Sequence, residues 1–75
     1  MLGTWGAVKI AKREEHRVGS WRIVLLYNEN GEVVAAELDS TRTSRPLLIA
    51  RHEKAKVKLP QRVKQFLRRH GFEIE

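Results

Sequence analysis

With 75 residues, the chain is long enough for one small domain, residues 1–75, near the size at which a single core is only marginally sufficient. It contains no cysteine, which excludes a disulfide frame and a thiolate zinc site. No run approaches the roughly 20 apolar residues of a membrane span. The formal charge of +6 is compatible with a polyanionic or acidic partner. No signal-peptide apolar core is visible near Met1, so the expectation is a soluble, cytoplasmic protein with no membrane association. Arginine outnumbers lysine nine to six, a balance compatible with a thermophilic source.

Taken in order, residues 5–13 (WGAVKIAKR) alternate, with Val8 and Ile10 on one side and Lys9 and Ala11 on the other. They are predicted as a first strand. Glu14, Glu15, His16 and Arg17 are predicted to turn the chain ahead of Gly19.

Residues 21–39 (WRIVLLYNENGEVVAAELD) read as a β-hairpin folded at Asn30-Gly31. Asn-Gly is the strongest short hairpin signal, because a two-residue type I′ turn needs positive φ at both central positions. That turn opposes Tyr27 to Val34, Leu25 to Ala36, Ile23 to Leu38 and Arg22 to Asp39. It places Trp21, Ile23, Leu25, Tyr27, Val34, Ala36 and Leu38 on one face.

Residues 40–46 (STRTSRP) have loop composition. Arg42 and Arg45 lie among hydroxyl side chains there, and these are group types that contact nucleic-acid backbones. Within 47–59, the stretch KAKVKL alternates with period two and predicts a strand with Lys54, Lys56 and Lys58 on one side. Such a row protects an edge strand from aggregation. It also sets cations at a repeat of about 6.6 Å, twice the rise per strand residue, and so suits a phosphate backbone. A helix starting at Pro46 is the competing prediction.

Residues 60–70 predict a helix. Proline suits the first turn, Arg68, Arg69 and His70 fall in the last, and Gly71 suits the C′ position. Val63, Phe66, Leu67 and His70 form the packing stripe at i, i+3, i+4, i+7. The opposite arc carries Gln61, Arg62, Lys64, Gln65, Arg68 and Arg69 without an acid. Phe72 and Ile74 then close the helix cap or add a short strand. The fold class is therefore α+β: a three- or four-stranded antiparallel meander with one face covered by a C-terminal helix.

The charge is distributed unevenly: residues 42–70 carry ten basic side chains against Glu53 alone, while residues 20–41 are net acidic. One-signed charge of this kind suits a polyanion better than a mixed, solubilising surface does. Catalytic signals are scarce. His16, His52 and His70 are scattered, His52-Glu53 lacks the second histidine of an HExxH zinc site, and no two glycines form a phosphate loop. No metal, cofactor or catalytic residue is assigned, and the protein is expected not to be an enzyme.

The leading expectation is a nucleic-acid-binding protein, for DNA or RNA, that works through phosphate contacts. Its contact set is Arg42, Arg45, Lys54, Lys56, Lys58, Arg62, Lys64, Gln65, Arg68 and Arg69. Trp5 and Phe72 are the aromatics taken as free to stack on a base. An alternative is a small inhibitor or accessory subunit, docking on a protein partner or as a homodimer through Val24, Leu26, Val33 and Ala35. A third is a small basic ribonuclease using His52.

Overall fold

The computed structural model describes residues 9–41, 45–54 and 56–75. Four strands, β1 (Lys12–Val18), β2 (Trp21–Tyr27), β3 (Val33–Ser40) and β4 (Leu47–Ala50), precede one helix, α1 (Gln61–Arg69). The strands form one antiparallel sheet in the order β1-β2-β3-β4. This is the α+β meander with a C-terminal helix that the hydrophobic pattern predicts.

The first strand is displaced from its predicted position. Glu14 to Arg17, expected as a turn, lie inside β1, and residues 5–8 of the predicted strand fall outside the described residues. The real turn is Gly19-Ser20, between the paired residues Val18 and Trp21. Gly19 has φ +62° and Ser20 does not have positive φ. That pattern fits a type II′ hairpin turn, which takes glycine at its first central position. Charged residues are tolerated throughout β1 because it is an edge strand.

The second hairpin keeps its predicted register but not its predicted turn. Arg22 pairs with Asp39, Ile23 with Leu38 and Leu25 with Ala36, whereas Tyr27 pairs with Val33, with an irregularity between Leu26 and Tyr27. Asn30 does not have positive φ, whereas Gly31 does, at +80°, so the loop is not type I′. The Asn28 carbonyl accepts from Gly31 N–H at 3.1 Å, and Asn28 N–H donates to the Glu32 carbonyl at 2.9 Å. These bonds define a three-residue loop, a turn followed by a left-handed glycine. The Asn28 side chain reinforces it, its Oδ1 accepting from the N–H of Asn30 and of Glu32, each at 2.9 Å.

The core lies between one sheet face and α1. Ile23, Leu25, Leu38, Val63 and Leu67 are its largest fully buried side chains, and burial of each contributes on the order of 1.5–3 kcal/mol. Ala36, Ile49, Phe72 and Ile74 complete it, with Val33 rather than Val34 packed against it. The helix ends in a Schellman motif. Gly71, at φ +90°, donates its N–H to the Arg68 carbonyl, and Phe72 N–H donates to the Leu67 carbonyl at 3.0 Å. Phe72 and Leu67 both lie in the core, which supplies the hydrophobic contact that accompanies such caps.

The predicted strand over 54–59 does not form. The fourth strand is Leu47–Ala50, and residues 54 and 56–60 belong to no helix or sheet. A helix from Pro46 is likewise absent from the described residues. The alternation nevertheless has a physical counterpart. Val57 and Leu59 pack against the core, while Lys54, Lys56 and Lys58 are exposed. Period-two burial records an extended chain lying on a core, and a hydrogen-bonded ladder is a separate condition.

Candidate nucleic-acid interface

The two layers differ in electrostatic character. On the sheet face turned away from α1, three cations meet three anions. Arg22 pairs with Asp39 at 3.1 Å, Arg17 with Glu15 at 3.6 Å and Arg13 with Glu37 at 3.9 Å. Val24 and Ala35, on that same face, are buried, with Arg13, Glu15, Arg22 and Glu37 around Val24. Long charged side chains lay their stems across it.

The helix and the extended stretch ahead of it are one-signed. From Lys54 to His70 the chain has seven Lys and Arg residues and no acid. Lys56, Lys58, Arg62 and Arg69 are exposed, and none of them makes an ion pair among the described residues. Two members of the predicted contact set are already engaged. Lys54 pairs with Glu75 at 3.4 Å, and Arg68 donates through Nε and Nη2 to the Ile74 carbonyl at 3.2 and 3.0 Å. Both ties anchor the C-terminal residues against the basic layer. Lys64 is half-buried, Gln65 is exposed, and Arg45 is exposed just ahead of β4. Arg42 lies outside the described residues.

Arg62, Gln65, Phe66 and Arg69 recur at i, i+3, i+4, i+7 and therefore share one arc of α1. Together with Val18 they line a shallow crevice of about 230 Å³ where the helix lies over the end of β1. Of the two aromatics expected to be free to stack on a base, Phe72 is not free, being buried in the core. Trp5 lies outside the described residues, and the half-buried Phe66 is the aromatic that borders the basic surface.

A polar cluster sits behind Phe66, hidden from sequence reasoning because β1 begins later in the chain than its alternation predicts. Alternation within Lys12–Val18 turns Lys12, Glu14, His16 and Val18 to the helix side. His16 Nε2–H donates to Glu14 Oε1 at 2.7 Å and the Tyr27 hydroxyl donates to the same oxygen at 3.1 Å. The His16 bond first, and the Tyr27 bond second, hold the Glu14 carboxyl below its ordinary pKa, with Lys12 at 3.6 Å from Oε2 adding to the effect. Burial first, then the hydrogen bond to Glu14 and the Glu14 charge, push the Tyr27 hydroxyl up. Phe66 packs on the rings of His70 and His16, with centroids 4.5 and 5.0 Å away. His70 Nδ1 carries the proton, since it donates to the Phe66 carbonyl at 2.9 Å.

Among the described residues, no three His, Asp or Glu side chains are arranged to hold a metal ion. His52 is exposed in the turn after β4, and no described acid or base hydrogen-bonds to it. Arg51, which no sequence motif marks, donates from Nη1 to the Val33 carbonyl at 3.3 Å and lies against Gly71. No protein-family model, curated protein or solved structure matches this chain.

Proposed function

We propose that this protein binds nucleic acid, chiefly through phosphates, with the layer formed by α1 and the extended stretch ahead of it. The reading rests on one contrast. The seven cations between Lys54 and His70 share a stretch with no acid, while the far sheet face neutralises its charges pairwise. A surface evolved only for solubility gains nothing from that segregation, whereas a polyanion does.

Lys56, Lys58, Arg62 and Arg69, exposed and without ion pairs among the described residues, are the primary phosphate contacts. Lys64 and Gln65 flank them. Lys54 and Arg68 would have to leave Glu75 and the Ile74 carbonyl to join, so they belong to the rim. The test is fluorescence anisotropy with duplex DNA, single-stranded DNA and RNA across salt from about 50 to 200 mM. Phosphate neutralisation predicts a log-log slope of about −0.9 per duplex phosphate. Absence of binding at the low-salt end removes the reading.

A second reading, docking on a protein partner, has one observation in its favour. Leu48 is 48% exposed and Ile10 39% exposed, and Ile10 lines a shallow depression with Leu26 on the far sheet face. The other residues expected to form that interface support it less. Val24 and Ala35 are buried and Val33 packs against the core.

A further inference from the structure

The crevice between α1 and the end of β1 combines groups that phosphate binding alone does not need. We infer that it takes one unpaired base together with its adjoining phosphate, so that the interface prefers single-stranded nucleic acid to a duplex. The inference rests on the phosphate-binding reading above and assigns that surface its ligand class.

The floor is hydrophobic and rigid. Phe66 contributes an aromatic ring and Val18 an aliphatic wall. The ring is fixed from behind by His70 and His16, at centroid distances of 4.5 and 5.0 Å. His16 is in turn held by Glu14 at 2.7 Å, and His70 by the Phe66 carbonyl at 2.9 Å. A stacking surface locked in this way loses little conformational freedom when a base settles on it. Stacking tolerates any base, since every base has a π-face.

The rim is cationic and polar. Arg62 and Arg69 stand about two helical turns apart on that arc, on either side of Gln65 and Phe66. Guanidinium groups suit phosphate oxygens through paired N–H donors. The Gln65 amide offers both a donor and an acceptor to a base edge. The crevice, at about 230 Å³, falls below the roughly 300–1,000 Å³ of pockets for drug-sized ligands, and suits one base.

Geometry then discriminates between ligands. A duplex keeps its base faces stacked inside, so only its phosphates can meet the crevice, at the cationic rim. A single strand can turn one base onto Phe66 while neighbouring phosphates meet Arg62 and Arg69. β1 assists by being an edge strand, paired with β2 on one side only, so among the described residues no further strand of the sheet obstructs that side.

The experiment compares the wild-type chain with Phe66→Leu and Gln65→Ala against oligo-dT, oligo-U and a mixed-sequence duplex of equal length, at about 100 mM salt. Single-strand preference is expected in the wild type. Phe66→Leu is expected to lose about five- to a hundredfold in single-strand affinity while its duplex affinity stays within twofold. Duplex affinity equal to or above single-strand affinity in the wild type overturns the inference and leaves phosphate binding intact, as does equal loss on both ligands in Phe66→Leu. Failure of the wild type to bind either ligand removes both readings. Should Phe66→Leu not fold, thymidine 5′-monophosphate titrated into the wild-type chain and followed by amide NMR decides. Shifts centred on Val18, Gln65, Phe66 and Arg69 support the site, and shifts confined to Lys56 and Lys58 overturn it.

Discussion

Gly31 and Val34 compensate one another. The left-handed Gly31 lengthens the β2–β3 loop to three residues, and Val34 is the residue of β3 left without a partner in β2, between Val33 and Ala35. Relative to a two-residue turn centred on Asn30-Gly31, the loop adds one residue, Glu29, on the β2 side and the bulge adds one, Val34, on the β3 side, so the two shifts cancel. Beyond Val34 the register is therefore the one such a turn would set, with Ile23 opposite Leu38 and Arg22 opposite Asp39. Locally the difference is real, because the bulge turns Val33 inward to the core in place of Val34.

Alanine at position 31 isolates the conformational part of this arrangement. A Cβ there meets no atom within 4 Å, so the cost of Gly31→Ala is that of holding a non-glycine residue in the left-handed region, about 1–2 kcal/mol. Gly31→Asn is expected to recover part of it, since asparagine tolerates that region. Urea unfolding measures both. An alanine variant as stable as wild type contradicts the assigned loop.

Gly71 is constrained twice. It holds φ +90°, and a Cβ on it lies 2.9 Å from Arg51 Nε. Arg51 is flexible enough to retreat, but retreat endangers its bond to the Val33 carbonyl. Gly71→Ala is therefore expected to cost more than Gly31→Ala, by about 1 kcal/mol, the worth of one ordinary hydrogen bond. In an Arg51→Ala background the two glycine substitutions should cost the same. A double-mutant cycle in urea reads the coupling, and strict additivity refutes the contact.

How much of this was legible depended on whether the signal was local. The Asn30-Gly31 region announced a hairpin because turn chemistry is written in adjacent residues, and the α1 stripe was visible because Val63 and Leu67 follow the helical period. The type of loop was not legible, since the choice between one and two left-handed residues depends on Asn28 capturing two amides. The position of β1 was obscured because an edge strand with polar groups on both faces carries little hydrophobic alternation. Lys54 to Leu59 misled for a different reason. Val57 and Leu59 alternate because they pack downward on a core, and nothing local records whether a neighbouring strand is present. The basic layer was legible as composition. The crevice was not, as it needs Val18 and Phe66, 48 residues apart in sequence, to meet.

Acid should unmask the Glu14 cluster. The folded-state pKa of Glu14 lies below its ordinary 4.5, chiefly through the His16 bond and then the Tyr27 bond. A depressed carboxylate contributes stability above its unfolded pKa and loses it as pH falls through the folded value. Glu14→Gln is thus expected to be less stable than wild type at pH 7, with the gap narrowing as pH drops below 4.5. Tyr27→Phe, which deletes one donor to the same oxygen, should shift the acid-unfolding midpoint of the otherwise wild-type chain upward. A Glu14→Gln deficit that stays constant from pH 7 into the acid range assigns the effect to packing instead.

Reversal of Lys56 and Lys58 to Glu tests the phosphate contacts without touching the core. Both side chains are exposed and make no ion pair among the described residues, so stability should stay within about 0.5 kcal/mol of wild type. Binding should weaken on every ligand. The salt slope should flatten by about 0.9 for each duplex phosphate no longer neutralised, or by about 0.7 for each phosphate of a single strand. An unchanged slope removes these two lysines from the interface and leaves α1 as its whole extent.

Leu26→Lys separates nucleic-acid binding from docking on a protein. Leu26 is half-buried on the far sheet face, beside Ile10, Arg13 and Glu37, so a lysine there can reach water past Arg13 with modest loss of stability. Any partner seated on that face would meet a new charge at its apolar centre, and the complex should be lost. The helix layer should not register the change. The smallest dimension of the molecule is 22 Å, more than twice the roughly 8 Å screening length at physiological salt. Nucleic-acid affinity within twofold of wild type, measured at about 0.15 M salt, is the outcome expected of an interface confined to α1 and the segment before it. A large loss would place ligand contacts on the sheet and require the two faces to act together.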